Sequence, residues 1–187
     1  FVFSYVSFRR SFILSVVSTI VFTVCALVMT VLLAYPLSRT YLKASKAMNF
    51  FVVFTMLFNG GIVPTYLIVR NLRITNTFWA LIVPNVISAY NTIVMVSAFR
   101  GVPKDFEEAA KVDGAGNFRI LLQIMLPLVK PTLMVLMLWY AVWRWNGWFD
   151  AMMYIADTQL RILPLTVRNI LLSGTSVLAN SMPADAS

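Results

Sequence analysis

Residues 11–38 carry no charge. A helix needs ~20 consecutive apolar residues to cross the hydrocarbon core of a bilayer, and this run is longer. It is also too long for the apolar part of a secretory signal, and no A-x-A-like cleavage site closes it. Uncharged runs recur over 47–69 and 74–99, and a shorter one follows Lys130. The chain is 60% hydrophobic and only 12% charged, against about 25% charged residues in soluble domains. It has too little polar surface to cover a water-facing core, so a membrane protein is the expected class.

The expected fold is all-α, a polytopic transmembrane bundle in one domain over 1–187. Its spans are about 12–35, 47–69, 75–99 and 131–148, with a polar loop over 100–127. The second span contains Asn59-Gly60-Gly61-Ile62-Val63-Pro64. Either this sequence breaks or kinks one helix, or the span ends near Asn59 and a re-entrant loop follows. The third span holds Asn85, Tyr90 and Asn91; the two amides, Asn85 and Asn91, are costly in lipid and should face the bundle interior. The fourth is rich in tryptophan, the pattern of an interfacial belt, which makes Arg144 a snorkelling residue. A short helix is expected over 164–172. The chain lacks an initiator Met and a closing span, which suggests the middle of a longer protein.

The net charge of +8 does not point to nucleic acid, because the basic residues sit mainly at the edges of apolar runs, where membrane proteins place them. The lone Cys25 and the absence of histidine argue against a disulfide framework and a transition-metal site. Cys25 reads as a small lipid-facing or helix-packing residue. Alternating spans put Arg39, Lys43, Lys46, Arg100, Lys104, Lys111, Arg119 and Lys130 on one side. Arg9, Arg10, Arg70, Arg73, Arg161 and Arg168 fall on the other. This weakly favours the first side as cytoplasmic.

Against this oily background one segment stands out. Asp105, Glu107, Glu108 and Asp113 fall close together in a chain with seven carboxylates. Residues 104–112 read as an amphipathic helix with acids near its positive end and Gly114 as its C-terminal cap. Asn117 can cap a following helix over 118–125. Ala109, Ala110, Gly114 and Ala115 leave one side slim enough to enter a groove, and Glu107 and Glu108 offer carboxylates to a partner's Arg or Lys. An ordinary solvated connection between two spans explains the same charges.

The string Glu108-Ala109-Ala110-x3-Gly114-x9-Ile124-x-Leu126-Pro127 matches the EAA loop of ABC importer permeases at every fixed position. Ala34-Tyr35-Pro36-Leu37-Ser38-Arg39, Asn59-Gly60-Gly61-Ile62-Val63-Pro64-Thr65-Tyr66 and Trp145-Asn146-Gly147-Trp148-Phe149 resemble sugar-importer permeases of the maltose-permease class. The Gly-Gly-Ile-Val-Pro-Thr-Tyr stretch is most similar to the subgroup that imports polysaccharide fragments and oligouronides in Gram-positive bacteria. The likeness covers roughly 10–172. It implies a type I importer permease fold, with the family's first and last spans missing from this chain. It implies a bacterial cytoplasmic-membrane location, a second permease subunit, a cytoplasmic ATPase dimer and an external solute-binding lipoprotein. It makes the segment a coupling helix, with Glu107, Glu108, Ala109, Ala110, Asp113 and Gly114 toward the ATPase. Arg144 departs from the family pattern before Trp145 and Asn146.

The chain has no phosphate-binding Gly-x4-Gly-Lys-Ser/Thr loop, so ATP is expected on another subunit and no cofactor on this one. With no histidine, and with acids absent from the spans, an enzyme has little to stand on. Other readings are an importer of amino acids or peptides, and a passive channel with a chance EAA match. For a sugar path, Asn59, Asn85, Tyr90, Asn91 and Asn146 are candidates, because amides bond hydroxyls while rings cover apolar sugar faces. Each of them also reads as helix-packing glue.

Overall fold

The computed structural model describes residues 6–39, 45–58 and 60–181, with side chains placed for 8–39, 45–58 and 60–172. Asn59 and Lys43 lie outside the described residues. The described residues contain helices and turns and no strand. One helix, over Phe8–Ser38, is long and apolar enough to cross a membrane, and up to four spans exist if each bent helix pair is one crossing.

That long helix, α1 (Val6–Ser38), is the axis of the bundle, and its packing is inverted relative to a soluble helix. Ser11, Ser15, Ser18, Phe22, Ala26, Thr30 and Ala34 are buried, at helical spacing. Ile13, Val17, Ile20, Val24, Val28 and Leu32 face outward. In lipid no hydrophobic force draws helices together, so small residues that allow close approach take the contact face. The small hydroxyls also bond other elements. Ser15 Oγ accepts from the Leu163 N–H at 2.7 Å, and Ser11 and Thr166 share a hydrogen bond of 3.0 Å. Helix α10 (Leu163–Ser181) is thereby capped by the start of α1.

The second expected span is two helices, α2 (Ser45–Leu57) and α3 (Ile62–Asn71). The break falls at Gly60-Gly61, where Gly61 has φ +85, a conformation open to glycine. Pro64 lies in the first turn of α3, where its missing N–H costs little. The third is not a helix over its whole length. Two 3₁₀ turns, Phe78–Leu81 and Val83–Asn85, precede α4 (Ala89–Gly101), bent from it by 55°. Pro84 prevents a continuous α-helical ladder there, and Ser88 restarts it by accepting from the Asn91 N–H.

The polar segment forms α5 (Asp105–Val112). A composite helix follows: α6 (Asn117–Ile120), a π turn (Leu121–Met125) and α7 (Leu126–Leu128). Asn117 is the first residue of this helix and Gly116 its N-cap, with no side-chain cap bond, so the expected Asn117 cap is not made. The chain turns by 83° into α8 (Lys130–Trp145). Helix α9 (Trp148–Tyr154) and α10, longer than expected from 164–172, complete the order. The most extensive packing is of α1 against α4 and α8. Cys25 is half-buried and packs on a cluster of Phe22, Ala26, Ile82 and Tyr140.

Candidate functional site

Helix α5 is closed by a paired hydrogen-bond motif. Ala115 N–H donates to Ala110 O at 2.9 Å and Gly114 N–H to Lys111 O at 3.0 Å. Gly114 has φ +77, the left-handed residue such a C-terminal cap requires. The helix has two distinct faces. Ala110 is buried against Tyr35, Leu37, Phe99 and Ile120 in one apolar cluster. Glu107 is also buried, ion-paired with Arg39 at the end of α1 and with Lys111 Nζ at 2.9 Å. Glu108, Ala109, Asp113 and Gly114 are exposed. Of the six expected coupling residues, four therefore point outward and two inward. Beside them Val112 and Phe118 are 88% and 66% exposed, apolar surface of the kind that marks a protein contact.

The root of α5 is tied to neighbouring elements. Leu37 O, near the end of α1, accepts from Ser45 Oγ at 2.8 Å, Asn49 Nδ2 at 2.9 Å and Arg100 Nη2 at 3.1 Å. These bonds use a carbonyl that the helix end would leave unsatisfied, and they draw α2 and α4 to α1. A cavity of about 440 Å³ opens between Ser38, Arg39, Arg100, Lys104, Glu107 and Lys111.

A second cavity, of about 360 Å³, lies where α1, α4, α8 and the 3₁₀ turns meet, lined by Phe22, Asn85, Ser88, Asn91, Trp139 and Trp143, with Tyr140 beside them. Asn85 and Asn91 are brought together there. Tyr90 is half-exposed and outside it, its ring 5.8 Å from Trp139. Asn146 is exposed and donates to Val142 O at 2.8 Å, finishing α8. Sequence reasoning missed Trp139 and Trp143 as lining residues. Their i, i+4 spacing, which puts both on one helix face, was the available signal, but it was absorbed into the interfacial-belt reading.

Arg144 does not snorkel. It is 1% exposed, on the face of α8 that turns into the bundle. Its guanidinium lies 3.8 Å from Asp150 Oδ2, which also accepts from Asn85 Nδ2 at 3.1 Å. The guanidinium nitrogens of Arg144 make no hydrogen bond among the described residues. Gly147 passes close by, and a Cβ there would stand 3.2 Å from Arg144 O. A carboxylate from beyond the span folds back to meet a cation within it, which the linear pattern of charges does not display. Among the described residues no group of three His, Cys, Asp or Glu side chains is placed to hold a metal ion.

Comparison with known proteins places this architecture. Residues 2–179 match the family model described as binding-protein-dependent transport system inner membrane component. The chain belongs to that family. It is a multi-pass membrane protein. It is 39% identical over 170 residues to LplC of Bacillus subtilis, covering 91% of this chain and 58% of that protein. It is 37% identical over 172 residues to YtcP of the same organism, a polygalacturonan/rhamnogalacturonan transport system permease, covering 92% of this chain and 60% of that one. Among solved structures it resembles a bacterial ABC transporter involved in import of the acidic polysaccharide alginate, with a TM-score of 0.85 and 32% identity, over 89% of this chain and 59% of that one. This chain thus spans somewhat over half the length of these relatives. The family likeness covers α1 to α10 and the α5 segment with it.

Proposed function

We propose that this chain forms the membrane path of an ATP-driven, binding-protein-dependent importer in the bacterial cytoplasmic membrane, and that its cargo is carbohydrate, as oligo- or polysaccharide fragments. The observation that carries the reading is the two-faced α5. Its inner face is seated in the bundle through Glu107 and Ala110, while Glu108, Ala109, Val112 and Asp113 stand free for a partner. On this reading the partner is a cytoplasmic ATPase dimer, which alone binds ATP. A second permease subunit completes the path, and an external solute-binding protein delivers cargo. Closure of the ATPase moves α5 and tilts the bundle between two states, a rigid-body change biased by a ligand bound elsewhere.

The carbohydrate assignment draws on the relatives' named substrates and on the 360 Å³ cavity. Ring faces of Trp139 and Trp143 suit the apolar faces of sugars, and the amides of Asn85 and Asn91 suit their hydroxyls. The apolar belt of α1 and α2 faces lipid or the second subunit.

The test is a cysteine at Ala109 in the full-length transporter. A crosslink to the copurifying ATPase is expected, and Gly114→Trp should abolish uptake. Absence of the crosslink together with normal uptake in the Gly114→Trp variant would end the coupling reading. Competition of uptake by oligogalacturonides, with none by amino acids or peptides, checks the cargo; the reverse pattern would replace it.

A further inference from the structure

The Glu108-Ala109-Ala110 motif places its glutamate outward, but the acid one residue earlier turns in. Glu107 is 5% exposed, and its partner Arg39, the residue after α1, is 7% exposed. Two residues this far apart in sequence meet only because α5 folds back against the end of α1.

We propose that Arg39 and Glu107 form a strut through which α5 moves α1, making Glu107 a positioning residue inside the protein. The inference rests on the reading that α5 docks an ATPase.

Helix α5 is joined covalently to α4 through Val102-Pro103-Lys104. The ion pair gives it a second root, on α1. The contact is end-on, through Arg39 Nη1 alone, while Nε and Nη2 have no hydrogen-bond partner among the described residues. Here the guanidinium is held from two sides, by the Glu107 carboxylate and by the ring of Tyr35, 4.6 Å from its centre. The carboxylate is held from two sides as well, by Arg39 and by Lys111. Ala110, one turn along, is buried in the same apolar cluster as Tyr35 and Leu37. Burial leaves the pair little screened by water or salt, so it resists separation more than an exposed pair would.

The recipient matters. α1 is the element packed along both α4 and α8, and its Phe22 lines the 360 Å³ cavity. A displacement of α5 transmitted only through α4 would move one wall of that cavity. Transmitted through the strut as well, it moves two walls in the same event.

The test uses the full transporter in proteoliposomes, with ATPase and binding protein. Three quantities are read: uptake, cargo-stimulated ATP hydrolysis and basal hydrolysis. Glu107→Gln, nearly isosteric, is expected to lower uptake and stimulated hydrolysis roughly 5- to 150-fold, the span of typical coupling between linked sites, with basal hydrolysis unchanged. The exchange Arg39→Glu with Glu107→Arg should restore much of the loss. It is built on Lys111→Gln, since Lys111 would otherwise face a like charge, and is compared with each single reversal on that background. Normal stimulation in Glu107→Gln overturns the proposal, as does an exchange no better than either single reversal. The Ala109→Cys crosslink is followed in every variant. Its presence alongside normal stimulation in Glu107→Gln sinks the strut alone. Its absence from otherwise unaltered protein sinks the docking reading beneath it.

Discussion

Arg144 and Asp150 face each other at 3.8 Å across the turn between α8 and α9, and Asn85 donates to the same Asp150 oxygen at 3.1 Å. The arrangement ties a charge inside a membrane-type helix to a wall of the inner cavity. An intramembrane cation is tolerated when a counter-charge accompanies it, and Asp150 supplies that charge from outside the span. Asp150→Ala should cost about 3–5 kcal/mol, because it leaves the Arg144 charge buried and uncompensated. The double change Arg144→Met with Asp150→Leu should be far milder, since no charge remains. Thermal unfolding of the detergent-purified transporter reads both. Equal losses in the single and double variants would show that the two groups do not compensate each other.

Thr30 and Tyr140 share a buried hydrogen bond of 2.7 Å between α1 and α8. Interhelical bonds of this kind in membrane proteins average about 0.6 kcal/mol and reach ~1.7. Tyr140→Phe and Thr30→Val should each cost an amount in that range. The double variant should cost less than the two together, as expected of groups that bond each other. Strict additivity in a denaturation cycle would remove the bond from the account of how α1 holds α8.

Gly114 has φ +77 and open space around it, so its requirement is conformational rather than steric. Gly114→Ala should destabilise the end of α5 by about 1–2 kcal/mol, the cost of a left-handed backbone at a residue with a Cβ. Gly114→Asn should cost less. Gly101, at the end of α4, is just as open and lacks the positive φ, so Gly101→Ala serves as a nearly neutral control. Hydrogen exchange of the Gly114 and Ala115 amides reports the cap directly. Equal protection in Gly114→Ala and the parent would contradict the assignment.

Asn91 is 8% exposed and lines the inner cavity beside Trp139. If sugars pass there, Asn91→Leu and Trp139→Ala should raise the KM for uptake roughly tenfold, the loss of a hydrogen bond worth about 1.4 kcal/mol or of a comparable ring contact. Tyr90→Phe and Asn146→Ala, whose side chains lie outside the cavity, should leave KM near its normal value. A KM raised by the second pair and unmoved by the first would put the path elsewhere.

Much of this was readable from residues 104–127 and from the uncharged runs. The α5 helix and its Gly114 cap follow from local rules, because acids at the start, glycine at the end and helical periodicity act within a few residues of one another. The Gly60-Gly61 break is legible for the same reason. The 3₁₀ turns ahead of α4 were not, although Pro84 stood as a warning, because an uncharged run satisfies the length rule for a span whether or not it is helical throughout. Arg144 was misjudged for a related reason. A cation beside several tryptophans looks interfacial when only its neighbours in sequence are counted.

Local chemistry was enough to establish an all-helical membrane protein with one polar segment, and to place that segment's motif and cap, since charge-free length, helix capping and residue spacing are short-range properties. It could not say that Glu107 turns inward while Glu108 turns outward, that Arg39 meets Glu107, or that Asp150 returns to Arg144. Those pairings depend on which helix faces come together. In a bilayer, small residues and buried polar contacts select the faces, and they do so among elements far apart along the chain.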